Sequence, residues 1–398
     1  MTAAGYRLGA ARGTPTLRPA LRRTCLLGCV LALAALPAWP GGAAASGSVA
    51  AAFQSSFNGV SCVGGGECVA VGQIALSSSI QPLGEVLRRG RWRPAPVSPI
   101  GRDSQLAAIS CVSARWCLAV GGRPAGALSE IWDGKRWAVA SVPLPHGTNT
   151  LAAVSCLSAT WCVAVGSTEL ETPLAERWNG VSWTALATAS LPAGGNEALL
   201  RAVSCAAPDD CVAAGTSFSA GGEAVLVERY AAGVWRRVQV PPIADTPALS
   251  GVSCPTAGWC LAVGTTGAAG SAGAQPLVLR IAGDQVSRLW PASTTPAAAF
   301  YGVSCTTIQR CVVVGDTPTS LTAALDTPFA EELDSGAWQT MTIVSGGVSE
   351  AFTGGVSCVA VTACNAVGGV TAGQRIEAVS ERLVGSTWRP LVMPADPF

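Results

Sequence analysis

The cysteines are the residues in this sequence most able to do chemistry. There are sixteen in 398 residues, and fourteen of them form seven pairs with five residues between the two members. An even cysteine count in an exported chain favours disulfides, whereas zinc-binding pairs usually stand two to four residues apart and need two further ligands. Because the chain has one histidine, the sequence predicts seven disulfides and no metal site. The predicted disulfides join Cys62 to Cys68, Cys111 to Cys117, Cys156 to Cys162, Cys205 to Cys211, Cys254 to Cys260, Cys305 to Cys311 and Cys358 to Cys364.

Four acidic residues form a second candidate site. Asp103, Glu197 and Glu350 each stand eight residues before the first cysteine of a pair, and Asp245 stands nine before. At one mouth of a central channel such carboxylates could hold a cation or a basic group. Two of them about 5 to 10 Å apart could instead hydrolyse a polysaccharide. The simpler alternative is a set of solvated turn residues.

The pairs belong to a repeat that positions both sets of residues. Successive first cysteines lie 49, 45, 49, 49, 51 and 53 residues apart, and a fixed period near fifty indicates a repeat architecture. Each unit contains four short β-prone runs bounded by Gly, Pro, Asn or Ser, the pattern of one propeller blade. The sequence therefore predicts an all-β, seven-bladed β-propeller of four-stranded antiparallel blades with one disulfide in each. The predicted blades are residues 53–98, 104–143, 149–192, 197–241, 247–291, 297–344 and 350–394 within a domain of residues 46–398.

The first 45 residues have the three parts of a secretory signal peptide. Five arginines precede an apolar run at 25–39, and a small-residue segment ends near Ala45, where we expect cleavage. The run of about fifteen apolar residues is shorter than the roughly twenty that a spanning helix needs. We therefore expect export without a stable membrane span.

Composition excludes several partners. Charged residues make up 12% of the chain and the net charge is +1, which indicates neither a nucleic-acid-binding surface nor a disordered acidic tail. No cofactor motif is present. The sequence predicts a monomer with an extracellular protein or glycan as its partner.

The repeat motifs resemble a known family. The order V-S-C, C-x-A-V-G and a W-x-G-x-x-W turn at 132–137 and 178–183 is similar to the repeat of Asp-box propellers of the sialidase type and of photosystem II assembly-factor propellers. This resemblance implies a propeller. It does not imply a sialidase, because the full Ser-x-Asp-x-Gly box is absent and only Asp133 or Asn179 stands beside the glycine. Tyr230 and Tyr301 occupy repeat positions typical of structural residues, so neither is expected to be a nucleophile.

Residues that recur in every blade are expected to be structural. The serine before each first cysteine is expected to bond nearby backbone. A third-strand glutamate recurs in six blades, and we expect pairing between blades, with Arg177, Arg229 and Arg382 beside three of them. Trp116, Trp161 and Trp259 are expected to cover their disulfides, and the alternative is that they are partly exposed and stack on a ligand.

Function is expected where the blades differ. Long loops between second and third strands are predicted at 73–84, 265–276 and 316–328, all on one face. His146, in an exposed connector, has no evident nucleophile partner. We interpret the chain as an exported binding or scaffold propeller that recognises an extracellular protein or cell-envelope glycan through a loop face. The alternatives are a polysaccharide hydrolase or lyase using the four acids, and a purely structural surface protein.

Overall fold

All regular structure in the described part of the chain is β-strand. The computed structural model describes residues 54–97, 101–143, 149–191, 195–267, 273–292, 298–320, 323–344, 349–351, 354–372 and 375–394. These residues form thirty strands. The predicted signal peptide and His146 lie outside them.

The strands form consecutive antiparallel blades. Blade 1 consists of β1 (Gln54–Val63), β2 (Glu67–Leu76), β3 (Ser79–Arg88) and β4 (Arg91–Pro94). Blade 2 consists of β5 (Gln105–Ser113), β6 (Trp116–Arg123), β7 (Gly126–Trp132) and β8 (Trp137–Val139). Blade 3 consists of β9 (Thr150–Ser158), β10 (Trp161–Ser167), β11 (Pro173–Trp178) and β12 (Trp183–Leu186). Blade 4 consists of β13 (Gly195–Ala207), β14 (Asp210–Ser219), β15 (Gly222–Ala231) and β16 (Val234–Arg237).

The remaining three blades follow the same order. Blade 5 consists of β17 (Ala248–Thr256), β18 (Trp259–Thr266), β19 (Gln275–Ala282) and β20 (Gln285–Leu289). Blade 6 consists of β21 (Ala299–Thr307), β22 (Arg310–Ser320), β23 (Ala323–Asp334) and β24 (Ala337–Thr340), and is followed by β25 (Thr342–Ile343). Blade 7 consists of β26 (Ser349–Ala351) and β27 (Val356–Ala360), which both pair with β28 (Ala363–Ala372), then β29 (Arg375–Val384) and β30 (Thr387–Leu391).

The core is divided among the blade interfaces. Seven clusters of buried apolar side chains each join two neighbouring blades, and one of them joins blade 7 to blade 1 through Val367 and Phe57. The first strands also contact one another in sequence around the ring, with β27 touching β1. The described residues therefore form a closed seven-bladed β-propeller, in which the start of β1 also pairs with β29 of blade 7.

Each blade carries the predicted disulfide between its first two strands. The paired cysteines have Cα–Cα distances from 3.9 to 4.1 Å, because they stand at opposed positions of an antiparallel hairpin. The sequence prediction is confirmed in every blade. In chain order, the bonds join Cys62 to Cys68, Cys111 to Cys117, Cys156 to Cys162, Cys205 to Cys211, Cys254 to Cys260, Cys305 to Cys311 and Cys358 to Cys364.

The glycine of C-x-A-V-G permits a bulge in the first strand. At Gly166 the register between β9 and β10 shifts, and an added Cβ would overlap the carbonyl oxygen of Thr150. Only a residue without a side chain fits so close to a neighbouring backbone. Five other blades repeat the close approach, at Gly72, Gly121, Gly215, Gly264 and Gly315.

A serine ring links the blades. The hydroxyl before each first cysteine accepts a hydrogen bond from the backbone N–H of the first cysteine in the next blade, at 2.9 to 3.0 Å. The sequence predicted a bond to nearby backbone. The bond is instead to the backbone of the neighbouring blade. The acceptors are Ser61, Ser110, Ser155, Ser204, Ser253, Ser304 and Ser357.

Candidate binding site

The antiparallel blades give the propeller two chemically different faces. We call hairpin face the side where each first strand begins and where second and third strands are joined. We call disulfide face the opposite side, where the cysteine hairpins and the turns between third and fourth strands lie. The strand registers place every disulfide at that end of its hairpin.

The predicted long loops of the hairpin face are mostly strand. Residues 73–84 belong to β2 and β3 apart from a tight turn at 77–78, and 316–328 lie largely within β22 and β23. The Gly, Ser and Pro content that suggested loops is accommodated in extended hairpins. The segment 265–276 begins and ends in strands, and its centre lies outside the described residues.

The four predicted acids lie at or just before the start of first strands, and so towards the hairpin face. Asp103 and Asp245 have left-handed backbone conformations, with φ of 59° and 66°, and both are exposed. The Oδ1 atom of Asp103 accepts a hydrogen bond from Ile80 N at 3.1 Å. Exposed Glu197 lies in β13 opposite Phe218, and Glu350 lies in β26 opposite Val370, with its side chain outside the described part.

The acids come from blades 2, 4, 5 and 7, so only blades 4 and 5 are neighbours. Nowhere in the described part of the chain do three His, Cys, Asp or Glu side chains meet in a way that could hold a metal ion. The carboxylate site on the hairpin face stays a prediction.

The recurring third-strand glutamates are buried between blades. Glu228 and Glu331 each accept a hydrogen bond from a connector N–H of the preceding blade, from Ala189 at 3.2 Å and Ala292 at 3.0 Å. The expected pairing of the blade 4 glutamate with Arg229 is wrong, because Arg229 forms its ion pair with Asp210 at 2.9 Å. Arg177 and Arg382 are exposed.

Burial shifts the titration of three of these carboxyls. Desolvation raises the pKa of Glu130 to about 8 and that of Glu176 to about 7. For Glu228 desolvation raises the pKa to about 6, opposed by the Ala189 N–H and by Arg237. Within the described residues neither carboxyl oxygen of Glu130 or Glu176 has a hydrogen-bond partner. Their burial at blade interfaces, away from both open faces, indicates a structural role.

The three tryptophans near second cysteines pack across blades. Trp116, Trp161 and Trp259 are partly buried, and each packs against the apolar cluster that contains the disulfide of the following blade. Each tryptophan therefore packs towards the disulfide of the next blade, whereas the sequence predicted that it would cover the disulfide of its own blade.

A basic cleft on the disulfide face was not predicted. It has a volume of about 910 Å³ and opens between blades 1 and 2. Strands β3 and β4, two turns and a cysteine hairpin supply its five cationic side chains, which are Arg88, Arg89, Arg93, Arg115 and Lys135. Glu67 and Asp133 are its two acids.

Local hydrogen bonds shape this basic cleft. Arg88 crosses between the blades and donates from Nη2 to the carbonyl oxygen of Gly134 at 3.0 Å, while its Nε lies 4.0 Å from Glu67. Asp133 Oδ1 accepts from the backbone N–H groups of Lys135 and Arg136, both at 2.7 Å. These contacts lower the pKa of Asp133, chiefly through the Arg136 and Lys135 amides. The Asp133 turn therefore holds the Lys135 segment at the cleft edge.

The charge of the basic cleft differs from that of the rest of the protein. Residues 46–398 contain 20 of the 25 basic residues and all 24 acidic ones, a net charge of −4. The cleft lining, with five cations and two acids, carries +3. The feature of the sequence that could have predicted this cleft is the arginine-rich run Arg88-Arg89-Gly90-Arg91-Trp92-Arg93. The net charge of the whole chain gives no indication of it.

The fold is shared with known propellers. The sequence matches no protein-family model and no curated protein. A structure described as YCF48 bound to D1 peptide is similar over 83% of this chain and 94% of that one, with 13% identity and a TM-score of 0.52. The GH74 xyloglucanase from Xanthomonas campestris is similar over 85% of this chain and 55% of its own, with 11% identity and a TM-score of 0.57. At these identities the likeness shows the β-propeller fold alone.

Proposed function

We propose that the protein is an exported binding propeller that recognises an extracellular protein or cell-envelope glycan. The observation that carries the proposal is the basic cleft, where a lining of net charge +3 stands in a domain whose formal net charge is −4. A cleft lined by one sign of charge raises the local concentration of ligands of the opposite sign. The sequence favoured a binding site on the hairpin face. The proposed binding site lies on the disulfide face instead.

Export is supported by the disulfides. Seven disulfides are typical of a chain that folds in an oxidising compartment. Among the described residues no helix has the length and hydropathy to cross a membrane. Together with the predicted signal at residues 1–45, the disulfides support release to the cell exterior or envelope, and we propose that the protein acts there as a monomer.

Two alternatives compete with this proposal. A hydrolase or lyase would use a carboxylate pair from Asp103, Glu197, Asp245 and Glu350, and the xyloglucanase neighbour is one enzyme built on this fold. The peptide-bound YCF48 structure is an example of a binder on the same fold. A purely structural surface protein would bind no soluble ligand. Because propellers support many activities, the site and not the fold must decide.

The test is sedimentation of the purified mature protein with isolated cell envelope, followed by sizing of the released glycans. We expect co-sedimentation without shortened chains, and its loss in the double variant Arg93→Ala/Arg115→Ala. The matched control is Arg177→Ala/Arg382→Ala, which removes two exposed arginines from other blades. Shortened chains would overturn the proposal in favour of the four acids, and failure of the unmodified protein to sediment would favour the structural role.

A further inference from the structure

We infer that the basic cleft binds a polysaccharide that carries carboxylates on successive sugars, that is, a polyuronate. This inference rests on the proposed function and names the ligand class of the same cleft. Three features support it: exposed cations without acidic partners, a cleft floor whose large apolar residues are covered, and the guanidinium geometry of arginine.

Four cations of the cleft are available to a ligand. Arg89, Arg93, Arg115 and Lys135 are exposed, and in the described part of the chain none of them has an acidic side chain within 4.0 Å. Arg88 is already engaged by Gly134 and Glu67. The four available cations come from two turns, one strand and one hairpin, so they surround the opening and do not lie along one element.

The backbone presents these side chains outward. Arg89 and Gly90 form the tight turn between β3 and β4, with φ of 51° and 74°. Such a pair of left-handed residues suits a two-residue hairpin. Arg115 projects from the β5–β6 hairpin and packs its backbone and Cγ beside Gly134. The positions of the cations are therefore set by hydrogen-bonded turns.

The floor of the cleft has little to offer an apolar side chain or a base. Val86 is 6% exposed and Trp132 is 3% exposed. Peptides are held by a strand edge, by an apolar groove, or by an arginine cluster when they are acidic or phosphorylated, and single-stranded nucleic acids are held by exposed aromatic rings. Since both large apolar residues of this floor are covered, recognition must come from charge and hydrogen bonding, which suits a hydrated anionic polysaccharide.

The geometry of arginine suits an anionic group with two oxygens, such as a carboxylate. The guanidinium fork donates two parallel hydrogen bonds to one carboxylate, and these bonds are stronger than those between neutral groups. The open cleft has a volume of about 910 Å³, which leaves room for several ligand groups at once. Several carboxylates along one chain would match several cations around one opening.

The test measures binding of polygalacturonate by the mature protein at low salt. Methyl-esterified polygalacturonate, which lacks the charge, and polyglutamate, which has the charge on a peptide, are the comparison ligands. We expect polygalacturonate to bind and the ester not to bind. Loss of two charge-assisted contacts in Arg93→Ala/Arg115→Ala should weaken binding by about ten-fold or more. The Arg177→Ala/Arg382→Ala control should bind as the unmodified protein does, and an unchanged thermal midpoint shows that each variant is folded.

The outcomes separate this inference from the proposed function. Polyglutamate binding as tightly as polygalacturonate would overturn the polyuronate and point to an acidic protein segment. Equal binding of the methyl ester would overturn the role of carboxylate. Absence of polygalacturonate binding with intact envelope binding would overturn the inference alone, whereas loss of both would overturn the proposed function too.

Discussion

The hydroxyl of Ser357 accepts a hydrogen bond from the backbone N–H of Cys62 at 2.9 Å, across 295 residues of sequence. This bond joins blade 7 to blade 1 and completes the serine ring. Its geometry repeats that of the six other interfaces, so the two ends of the chain are held by the same contact as consecutive blades. The propeller is closed by this repeated interaction and by the pairing of β1 with β29 of blade 7.

The serine ring predicts a specific stability loss. Ser357→Ala removes the acceptor of the Cys62 N–H and should lower the free energy of unfolding by about 1 kcal/mol. Denaturant unfolding measures the change. Ser78→Ala, which alters an exposed turn serine, is the control and should have no effect. Equal stability of Ser357→Ala and the unmodified protein would show that closure does not depend on this bond.

The bulge glycines predict a larger loss. Gly166→Ala would drive a Cβ into the carbonyl oxygen of Thr150, and the strands must separate to relieve the overlap. We expect a loss of about 3 kcal/mol or more, or insoluble protein. Gly64→Ala places its Cβ in open space and should leave the thermal midpoint almost unchanged. A stable Gly166→Ala protein would contradict the bulge geometry.

The seam between blades 7 and 1 predicts a stabilising substitution. Asn365 is 5% exposed and donates to the sulfur atoms of Cys68 and Cys62 at 3.2 and 3.5 Å, while its Oδ1 has no partner in the described part. Sulfur is a weak acceptor, and a buried amide oxygen without a partner is costly. Asn365→Val, which introduces the aliphatic type found here in the other blades, should raise the free energy of unfolding by about 1 kcal/mol. A less stable variant would show that the amide is required at the seam.

Glu130 predicts a dependence of stability on pH. Its pKa in the folded protein is about 8, above the ordinary value of 4.5, so the folded state holds the proton more tightly than the unfolded state does. The stabilisation is complete below about pH 4.5 and is lost as pH rises towards 8. Glu130→Gln should therefore flatten the fall of the unfolding free energy between pH 5 and 8 and increase stability at pH 8. The exposed substitution Glu223→Gln is the control, and an unchanged pH profile in Glu130→Gln would contradict the buried neutral carboxyl.

The disulfides predict the thiol content of the protein. All fourteen cysteines of residues 46–398 are paired. Thiol titration of denatured, unreduced protein recovered from the medium should detect no free thiol. Fourteen thiols would contradict both the pairing and an oxidising destination.

Repetition made the fold predictable. Seven copies of the cysteine spacing fixed the blade count, the hairpin register and the disulfides, because one local solution explains all of them. The hydrogen-bond partners of Ser357 and Glu228 could not be predicted from the sequence, because each partner lies in a neighbouring blade and is brought close only when the ring forms. The basic cleft was missed for a similar reason: its arginine run was visible, but Arg115 and Lys135 join it only in three dimensions.

The hairpins of the hairpin face were misjudged for a local reason. Residues 73–84 contain Gly, Pro and several serines, which are common in loops, yet they pair across β2 and β3. Cross-strand pairing outweighs the weak intrinsic preference of such residues. Length variation there reflects how far each hairpin extends.

The central claim is that the basic cleft is the binding site, and Lys135 gives a direct test because it is the only lysine in the chain. The measurement is the rate at which an amine-reactive acylating reagent modifies Lys135, read by mass spectrometry, in the free protein and in protein bound to isolated cell envelope. The account predicts slower modification of Lys135 in the bound fraction, with the amino terminus as the internal reference. Equal rates at Lys135 in free and bound protein would place the partner elsewhere on the propeller.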